Sequence, residues 1–316
     1  MRSLQIADTA KFLQDRNNFL IVTHRRPDGD TLGSAAALCR GLRRLGKTAH
    51  ILENPEITEK YAHLHLGLTK QAPAEEDTLI CVDVASAGML PAAFAPLTDR
   101  ICLRIDHHRS NESFTPLELV DPAAAACGQI IYDLLTALDV ELDVPMANAL
   151  YTAISTDTGC FRYANTQSHT FEVAAACARV SPDLFQLNQT LFETNSLGRL
   201  KIQGWIVENA LFLQEGKVCI CAIDPQVEKD MGLTEDDMEN ISGFPRSIAG
   251  VKIAATLRGQ EDGIVKVSIR AVPGYDAGAI CQKFGGGGHR GAAGCSLDMP
   301  MEQAVSAIIS AIPIID

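Results

Sequence analysis

Three short apolar runs, Phe19–Val22, 79–82 and 101–105, constrain this chain most strongly, because they are nearly continuous rather than alternating. A strand that is apolar on both faces must be covered on both faces, which is the situation of a parallel sheet lying between helices. The sequence between and after the runs supplies such helices. Residues 31–45, 123–138 and 145–154 have helical length and periodicity, with Gly46 placed to stop the first. The first half of the chain therefore reads as an α/β domain with a mainly parallel sheet. Ser181-Pro182 reads as an N-cap followed by a helix-starting proline, and apolar positions recur at helical spacing over 184–211 with a break near Asn195-Ser196. That pattern predicts a helical connector containing Trp205 as a structural residue. Beyond it, 217–223, 251–257 and Ile264–Ala271 alternate as strands, while 276–284 and 301–312 read as helices, so a second, smaller α/β domain is expected. The predicted boundaries are 1–185, 186–211 and 212–316.

Composition narrows the function classes. The 316 residues are 47% hydrophobic and 21% charged, ordinary globular values that exclude disorder and fibrous repeats. Lys plus Arg number 27 against 39 Asp plus Glu, a net charge of −12. So acidic a chain is a poor binder of long nucleic acid, whose affinity comes from basic surface, and any anionic ligand must be held locally. The longest uncharged stretch, 84–98, contains Pro91 and Pro96 and falls short of the ~20 apolar residues a spanning helix needs. Asp8, Lys11, Asp15 and Arg16 interrupt anything resembling a secretory segment. The ten cysteines include no CxxC pair and read as reduced, mostly buried thiols, so a cytoplasmic protein without membrane contact is expected.

Chemistry-bearing residues fall where the strands end. His24 follows the first run and leads into Asp28-Gly29-Asp30; Asp83 follows the second; Asp106-His107-His108 follows the third. Ligands of open parallel sheets bind outside the carboxyl ends of the strands, so these residues should converge, with Asp157 as a further candidate just past a helix. Each fragment alone has an ordinary reading: Asp-Gly-Asp as a turn, Asp83 as a helix cap, paired histidines as polar surface. Convergence changes the physics. Two carboxylates ~4 Å apart repel by about 4 kcal/mol at an effective dielectric near 20, so four need cations. Asp28, Asp30, Asp83 and Asp157 would be neutralised by two divalent ions, with His24 and His107 as nitrogen ligands. Such a pair activates water and stabilises entering and leaving oxygens at phosphorus.

The four motifs, His24-x-x-x-Asp28-x-Asp30, Asp83, Asp106-His107-His108 and Asp157 before Thr-Gly, resemble those of the DHH phosphoesterases. The run from Phe284 to Gly294, with Gly285 through Gly288, His289 and Arg290, resembles the signature of the DHH-associated C-terminal domain. The resemblance spans about residues 15–300. It implies an N-terminal DHH domain, a helical connector and a smaller α/β domain, with the active site in the cleft between domains. By the same resemblance His24 and Asp28 would hold one metal and Asp30, His107 and Asp157 the other, with Asp83 bridging. His108 would face the substrate phosphate and Asp106 would orient a neighbouring histidine. Manganese is the implied metal; oxygen and imidazole ligands also suit Mg²⁺, and affinity order favours Co²⁺.

Gly286, Gly287 and Gly288 let backbone N–H groups approach an anion, and His289 and Arg290 add donors; a packing role for the glycines is the other reading. Gly286-x-Gly288-x-x-Gly291 also satisfies a dinucleotide-binding pattern, but the helical reading of 276–284 puts a helix, not a strand, before it. From Phe244 to Gly294 seven basic residues stand against three acidic ones, a local excess suited to gripping a terminal phosphate. Arg270 is the foremost candidate, although Ala271 follows where relatives often carry serine. Phe161 and Tyr163 could stack on a base or pack in the core. The resemblance points to the nano-RNase subfamily, which cuts RNAs of two to five nucleotides to mononucleotides and removes the 3′-phosphate of 3′-phosphoadenosine 5′-phosphate. Alternatives are a cyclic-dinucleotide phosphodiesterase, an inorganic pyrophosphatase and a silent nucleotide-binding regulator. A homodimer is implied by resemblance alone.

Overall fold

Each residue of Phe19–Val22 is buried, and the side chains divide between two separate cores, which is why the run is apolar throughout. In the computed structural model, which describes residues 2–108 and 112–315, the chain forms two compact units, Met1–Thr194 and Asn195–Asp316. The first is built on a seven-stranded parallel sheet: β1 (Arg2–Ser3), β2 (Phe19–Val22), β3 (Ala49–Leu52), β4 (Thr69–Lys70), β5 (Thr78–Val82), β6 (Ile101–Asp106) and β7 (Leu117–Val120). Spatial order is β1-β7-β6-β5-β2-β3-β4. Phe19, Ile21, Ile80, Val82, Leu103 and Ile105 face the main helical core, whereas Leu20, Val22, Leu79, Cys81 and Ile101 pack on the other side with Val84, Leu90 and Phe94.

The strand order places the site. From β2 the chain moves outward to β3 and β4 on one side, and from β5 to β6 and β7 on the other. The reversal lies between β2 and β5, and a crevice at such a switch point is where open α/β sheets bind ligands. His24 follows β2 and Asp83 follows β5, so two motif residues flank it.

Small residues bring the third wall in. The helix Gly29–Arg44 crosses the helix Val144–Asp157 so closely that a Cβ on Gly33 would lie 2.3 Å from the carbonyl oxygen of Ala149 and one on Gly29 would lie 2.5 Å from Thr156 Oγ1. This crossing sets Asp28 and Asp30, at the start of one helix, beside Asp157, the last residue of the other.

Several expectations need correction. Asp157 ends its helix rather than following it. The helix expected from 123 begins at Cys127, because 121–126 forms a turn closed by the Ala124 N–H donating to Asp121 O (3.1 Å). Ser181 is not an N-cap: it closes the helix Ser168–Val180, which the sequence reading missed, and its hydroxyl accepts from the Asp183 N–H (3.0 Å) as a local turn.

The second unit holds a six-stranded mixed sheet in the order β12-β13-β11-β10-β9-β8: β8 (Leu211–Leu213), β9 (Val218–Ile223), β10 (Ile253–Gly259), β11 (Ile264–Ala271), β12 (Gly287–Gly288) and β13 (Ala292–Asp298). The helix Leu197–Asn209, part of the expected connector, packs Ile202 and Ile206 with Cys221, Ile223, Met238 and Ile241 of this unit, and Trp205 lies against the same cluster. Among the described residues no helix is long and apolar enough to cross a membrane.

Gly33 gives the first prediction. Gly33→Ala drives a methyl group into a backbone carbonyl and should destabilise by about 1–3 kcal/mol, read as a lower urea midpoint, with weakened divalent-metal affinity as Asp30 and Asp157 are pushed apart. A midpoint equal to that of the wild type would contradict this account of the crossing.

Candidate metal centre

Six side chains from four segments meet at the carboxyl end of the sheet. His24 Nε2 lies 3.9 Å from Asp28 Oδ1 and 3.6 Å from Asp83 Oδ2. His107 Nε2 lies 3.7 Å from Asp30 Oδ2, 3.6 Å from Asp83 Oδ1 and 3.7 Å from Asp157 Oδ2. His24, Asp28 and Asp83 form one group of potential ligands and Asp30, His107 and Asp157 another, while Asp83 also groups with His107 and His108. These separations exceed hydrogen-bond range but suit ligands drawn onto a common ion at bond lengths of ~2.1 Å. Asp83 faces His24 with one oxygen and His107 with the other, so its carboxylate lies between the groups.

Each potential ligand is aimed by its neighbours. His24 Nδ1 donates to Arg25 O (2.7 Å) and His107 Nδ1 is 3.3 Å from Ala124 O, an arrangement that puts the proton on Nδ1 and leaves Nε2 to the cluster. Asp28 caps its helix, accepting from the N–H groups of Asp30 (3.0 Å) and Thr31 (3.1 Å). Asp30 accepts from Ser34 Oγ (3.0 Å) and from the amides of Cys127 (2.7 Å) and Gly128 (2.9 Å). The delayed helix start at Cys127 thus serves the site, since its first-turn N–H groups stabilise a buried carboxylate. Asp83 sits in the left-handed region at φ 58°, where backbone strain is typical of functional positions, and Thr31 Oγ1 donates to its Oδ2 (3.0 Å). Asn165 Nδ2 donates to Ala125 O (2.9 Å) and Asp157 O (3.2 Å), tying the last ligand to the same loop. Thr31, Ser34, Asn165 and the two amides were not legible in the sequence, because their roles come from pairings made only in the fold.

Whether cations fit here is answered by the donor set. Asp83 Oδ1 is buried and has no hydrogen-bond partner among the described residues. An orphaned carboxylate oxygen is a costly arrangement that a cation would relieve. The protonation equilibria show the same tension. Burial, then the charges of Asp83 and Asp28, raise Asp157 to about 8. Burial and the charge of Asp83 push Asp30 well above the carboxylate range. His24 rises to about 9, its burial being outweighed by the contact with Asp83 and the charges of Asp28 and Asp83. Asp83 itself is lowered despite burial, because His24, His107 and His108 surround it. Oxygen and imidazole donors without thiolate suit hard or borderline divalent ions.

His108 stands beside these groups. Its Nδ1 is 2.8 Å from Asp106 Oδ1, which also accepts from the N–H groups of His107 (2.8 Å) and His108 (3.3 Å). Burial disfavours its protonation, but the bond to Asp106 prevails and lifts it to about 9.

The other candidates lie in the second unit. Arg270 is on β11, opposite Ala254 on one side and Ala292 on the other. Gly286 and Gly288 are close-packing positions: a Cβ on Gly286 would lie 2.3 Å from Gly294 O, and Gly288, at φ 139°, pairs with Ala293. A Cβ on Gly287 would meet nothing within 4 Å, His289 is exposed, and Arg290 pairs with Asp276 at 3.4 Å. Phe161 is a packing residue, 5.9 Å from Tyr151 and stacked 5.5 Å from Phe171. Tyr163 lies over Gly159, where a Cβ would be 2.3 Å from its ring.

Comparison with known proteins follows the same division. Residues 18–154 match the N-terminal domain of the DHH family and residues 215–313 match the DHHA1 domain. The chain is 34% identical over 298 residues to a Thermus thermophilus protein named bifunctional oligoribonuclease and PAP phosphatase NrnA, covering 92% of this chain and 88% of that one. An exopolyphosphatase-related protein from Bacteroides fragilis superposes with a TM-score of 0.87 at 21% identity, covering 97% and 94% of the two chains. RecJ from Thermus thermophilus, solved in complex with Mn²⁺, superposes with a TM-score of 0.55 at 15% identity, covering 97% of this chain and 53% of RecJ.

The cluster predicts an unusual pH response. Asp157, His24 and His108 retain protons in the metal-free fold up to about pH 8 to 9, whereas the unfolded chain releases them near 4 and 6.5. The stability they carry is complete below the unfolded values and is lost as pH rises through the folded ones. The Tm of the metal-free protein should therefore fall between pH 6 and 9, and saturating Mn²⁺ should shrink that fall by favouring the deprotonated ligands. A metal-free Tm that rises across this window would refute the reading.

Proposed function

This chain belongs to the DHH family, and from that premise we propose that it is a metal-dependent phosphoesterase that hydrolyses RNAs of two to five nucleotides to nucleoside 5′-monophosphates and 3′-phosphoadenosine 5′-phosphate to AMP. The observation that carries the reading is Asp83, whose two oxygens face two separate ligand groups at the switch point of the sheet. The substrate class is supported by the name of the Thermus thermophilus relative and by length, since the match covers most of both chains. Charge supports it too: a chain of net charge −12 offers no long basic track, so short oligonucleotides and small nucleotides are its partners.

In this reading His24 and Asp28 would hold one divalent cation, Asp30, His107 and Asp157 would hold another, and Asp83 would serve both. Two bound cations, of which Mn²⁺ is our choice, supply Lewis-acid polarisation of a phosphoryl oxygen and an acidified water. The remaining work belongs to the protein. Asp106 fixes the Nδ1 proton of His108, so the opposite nitrogen is the one that can donate to the departing oxygen. Thr31, Ser34, Asn165 and the amides at Cys127 and Gly128 hold the ligands in place before substrate arrives. Arg270, with the backbone of Gly287 and Gly288 and the side chains of His289 and Arg290, would grip the terminal phosphate, a guanidinium being able to do so through two parallel bonds, whereas the Gly286 N–H is already given to Cys281 O (3.0 Å). All ten cysteines are free, the state a cytoplasmic placement requires.

The decisive assay incubates the protein and Mn²⁺ with pApA, pGpG, 3′-phosphoadenosine 5′-phosphate, cyclic di-AMP and pyrophosphate. The highest kcat/KM should fall on the linear dinucleotides, with 3′-phosphoadenosine 5′-phosphate also turned over; hydrolysis of pyrophosphate alone would overturn the assignment. Asp83→Ala should lower kcat/KM by about three orders of magnitude or more. Arg270→Ala should raise KM about tenfold or more with kcat little changed, the signature of lost ground-state binding. Unchanged KM on pApA would remove Arg270 from the clamp.

A further inference from the structure

Arg104 is a cation with no exposed surface, placed in the middle of β6 two residues before Asp106. Its Nη1 donates to the carbonyl oxygens of Ala85 (2.9 Å) and Glu112 (3.3 Å). Nη2 lies 3.2 Å from Glu118 Oε1 on the facing strand, Nη1 lies 3.9 Å from Asp106 Oδ2, and the guanidinium carbon is 5.4 Å from the Phe114 ring centre. Three of these partners lead to the site. Ala85 is two residues beyond Asp83, Glu112 is four beyond His108, and Asp106 shares a strand face with Arg104.

Asp106 divides its two oxygens between the two sides. Oδ1 takes the N–H groups of His107 and His108 and the His108 ring, whereas Oδ2 is turned to Arg104 and has no hydrogen-bond partner among the described residues. Packing does not call for such a group, since an apolar side chain in a buried strand is as stable as a buried ion pair or more so. Resting on the phosphoesterase reading, we propose that Arg104 is a positioning residue for His108. Its charge holds Asp106 Oδ2 from behind at 3.9 Å, and through the carbonyls of Ala85 and Glu112 it ties the turn after Asp83 to the chain four residues beyond the histidine. Glu118 balances its charge, and Ser113 Oγ in turn donates to Glu118 Oε2 (3.0 Å).

The test separates this role from folding. Arg104→Met alone strands Glu118 and should lower Tm. The pair Arg104→Met with Glu118→Gln removes both charges yet keeps an acceptor for Ser113, and its Tm should return toward that of the wild type. In that double variant kcat on pApA should still be down about 10- to 100-fold, with KM and Mn²⁺ affinity within about threefold of the wild type. Recovered Tm with kcat within about twofold of the wild type, or kcat falling only in step with Mn²⁺ affinity, would overturn the proposal. Arg104→Lys, which keeps a charge but lacks the two-armed fork that serves Ala85, Glu112 and Asp106 with one nitrogen and Glu118 with the other, is the check should the double variant not fold. Its kcat should also fall, and wild-type kcat there would refute the role. A readout without substrate is the His108 Nδ1 proton resonance of Mg²⁺-loaded protein, expected in the wild type and lost in whichever of these two variants folds. Failure of wild-type protein to cleave any phosphoester would sink the functional reading but not the positioning; an unchanged resonance in that variant would sink the positioning.

Discussion

Mutual repulsion among Asp28, Asp30, Asp83 and Asp157 is the constraint around which the first unit is organised. A fold does not gather four carboxylates at one sheet end without compensation, and here compensation comes in layers. Backbone amides meet Asp28 and Asp30, imidazoles surround Asp83, and burial with the charge of Asp83 raises Asp157 and Asp30 toward their protonated forms. What is left over, a buried oxygen on Asp83 without a hydrogen-bond partner among the described residues, is an electrostatic demand that divalent cations would meet. Stability and function pull against each other at this point, as expected where a site is built in advance of its ligand.

The topology turns this demand into a place. Parallel strands buried on both faces force helical crossovers, the reversal of strand order between β2 and β5 opens a crevice, and the close crossing at Gly33 and Gly29 brings Asp157 to its edge. Residues far apart in sequence become neighbours because backbone geometry requires it, with histidine orientation then fixed by single carbonyls such as Arg25 O.

Much of this was legible beforehand, for identifiable reasons. β2, β5 and β6 announced themselves because burial on both faces leaves an unbroken apolar run, and the motif residues were found because they follow those runs. β1 and β4 escaped notice because two residues carry no period, and β12 because glycines carry no pattern. Ser181 misled because the same hydroxyl that caps a helix also makes a turn after one. The glycine run looked like an anion loop, while two of its members are required by backbone approach in a hairpin. Arg104, inside the run 101–105, drew no attention in the sequence, since Glu118 and Asp106 come around it only in the fold.

Four acids gathered at one sheet end call for a pair of cations, and counting metal ions tests this most directly. Crystals of the protein equilibrated with Mn²⁺ and measured at the manganese absorption edge should show two anomalous peaks per chain, both within bonding distance of Asp83. A single peak, or peaks that leave Asp83 unligated, would contradict the claim that this carboxylate is shared and that repulsion among the four acids exists to be relieved by a pair of ions.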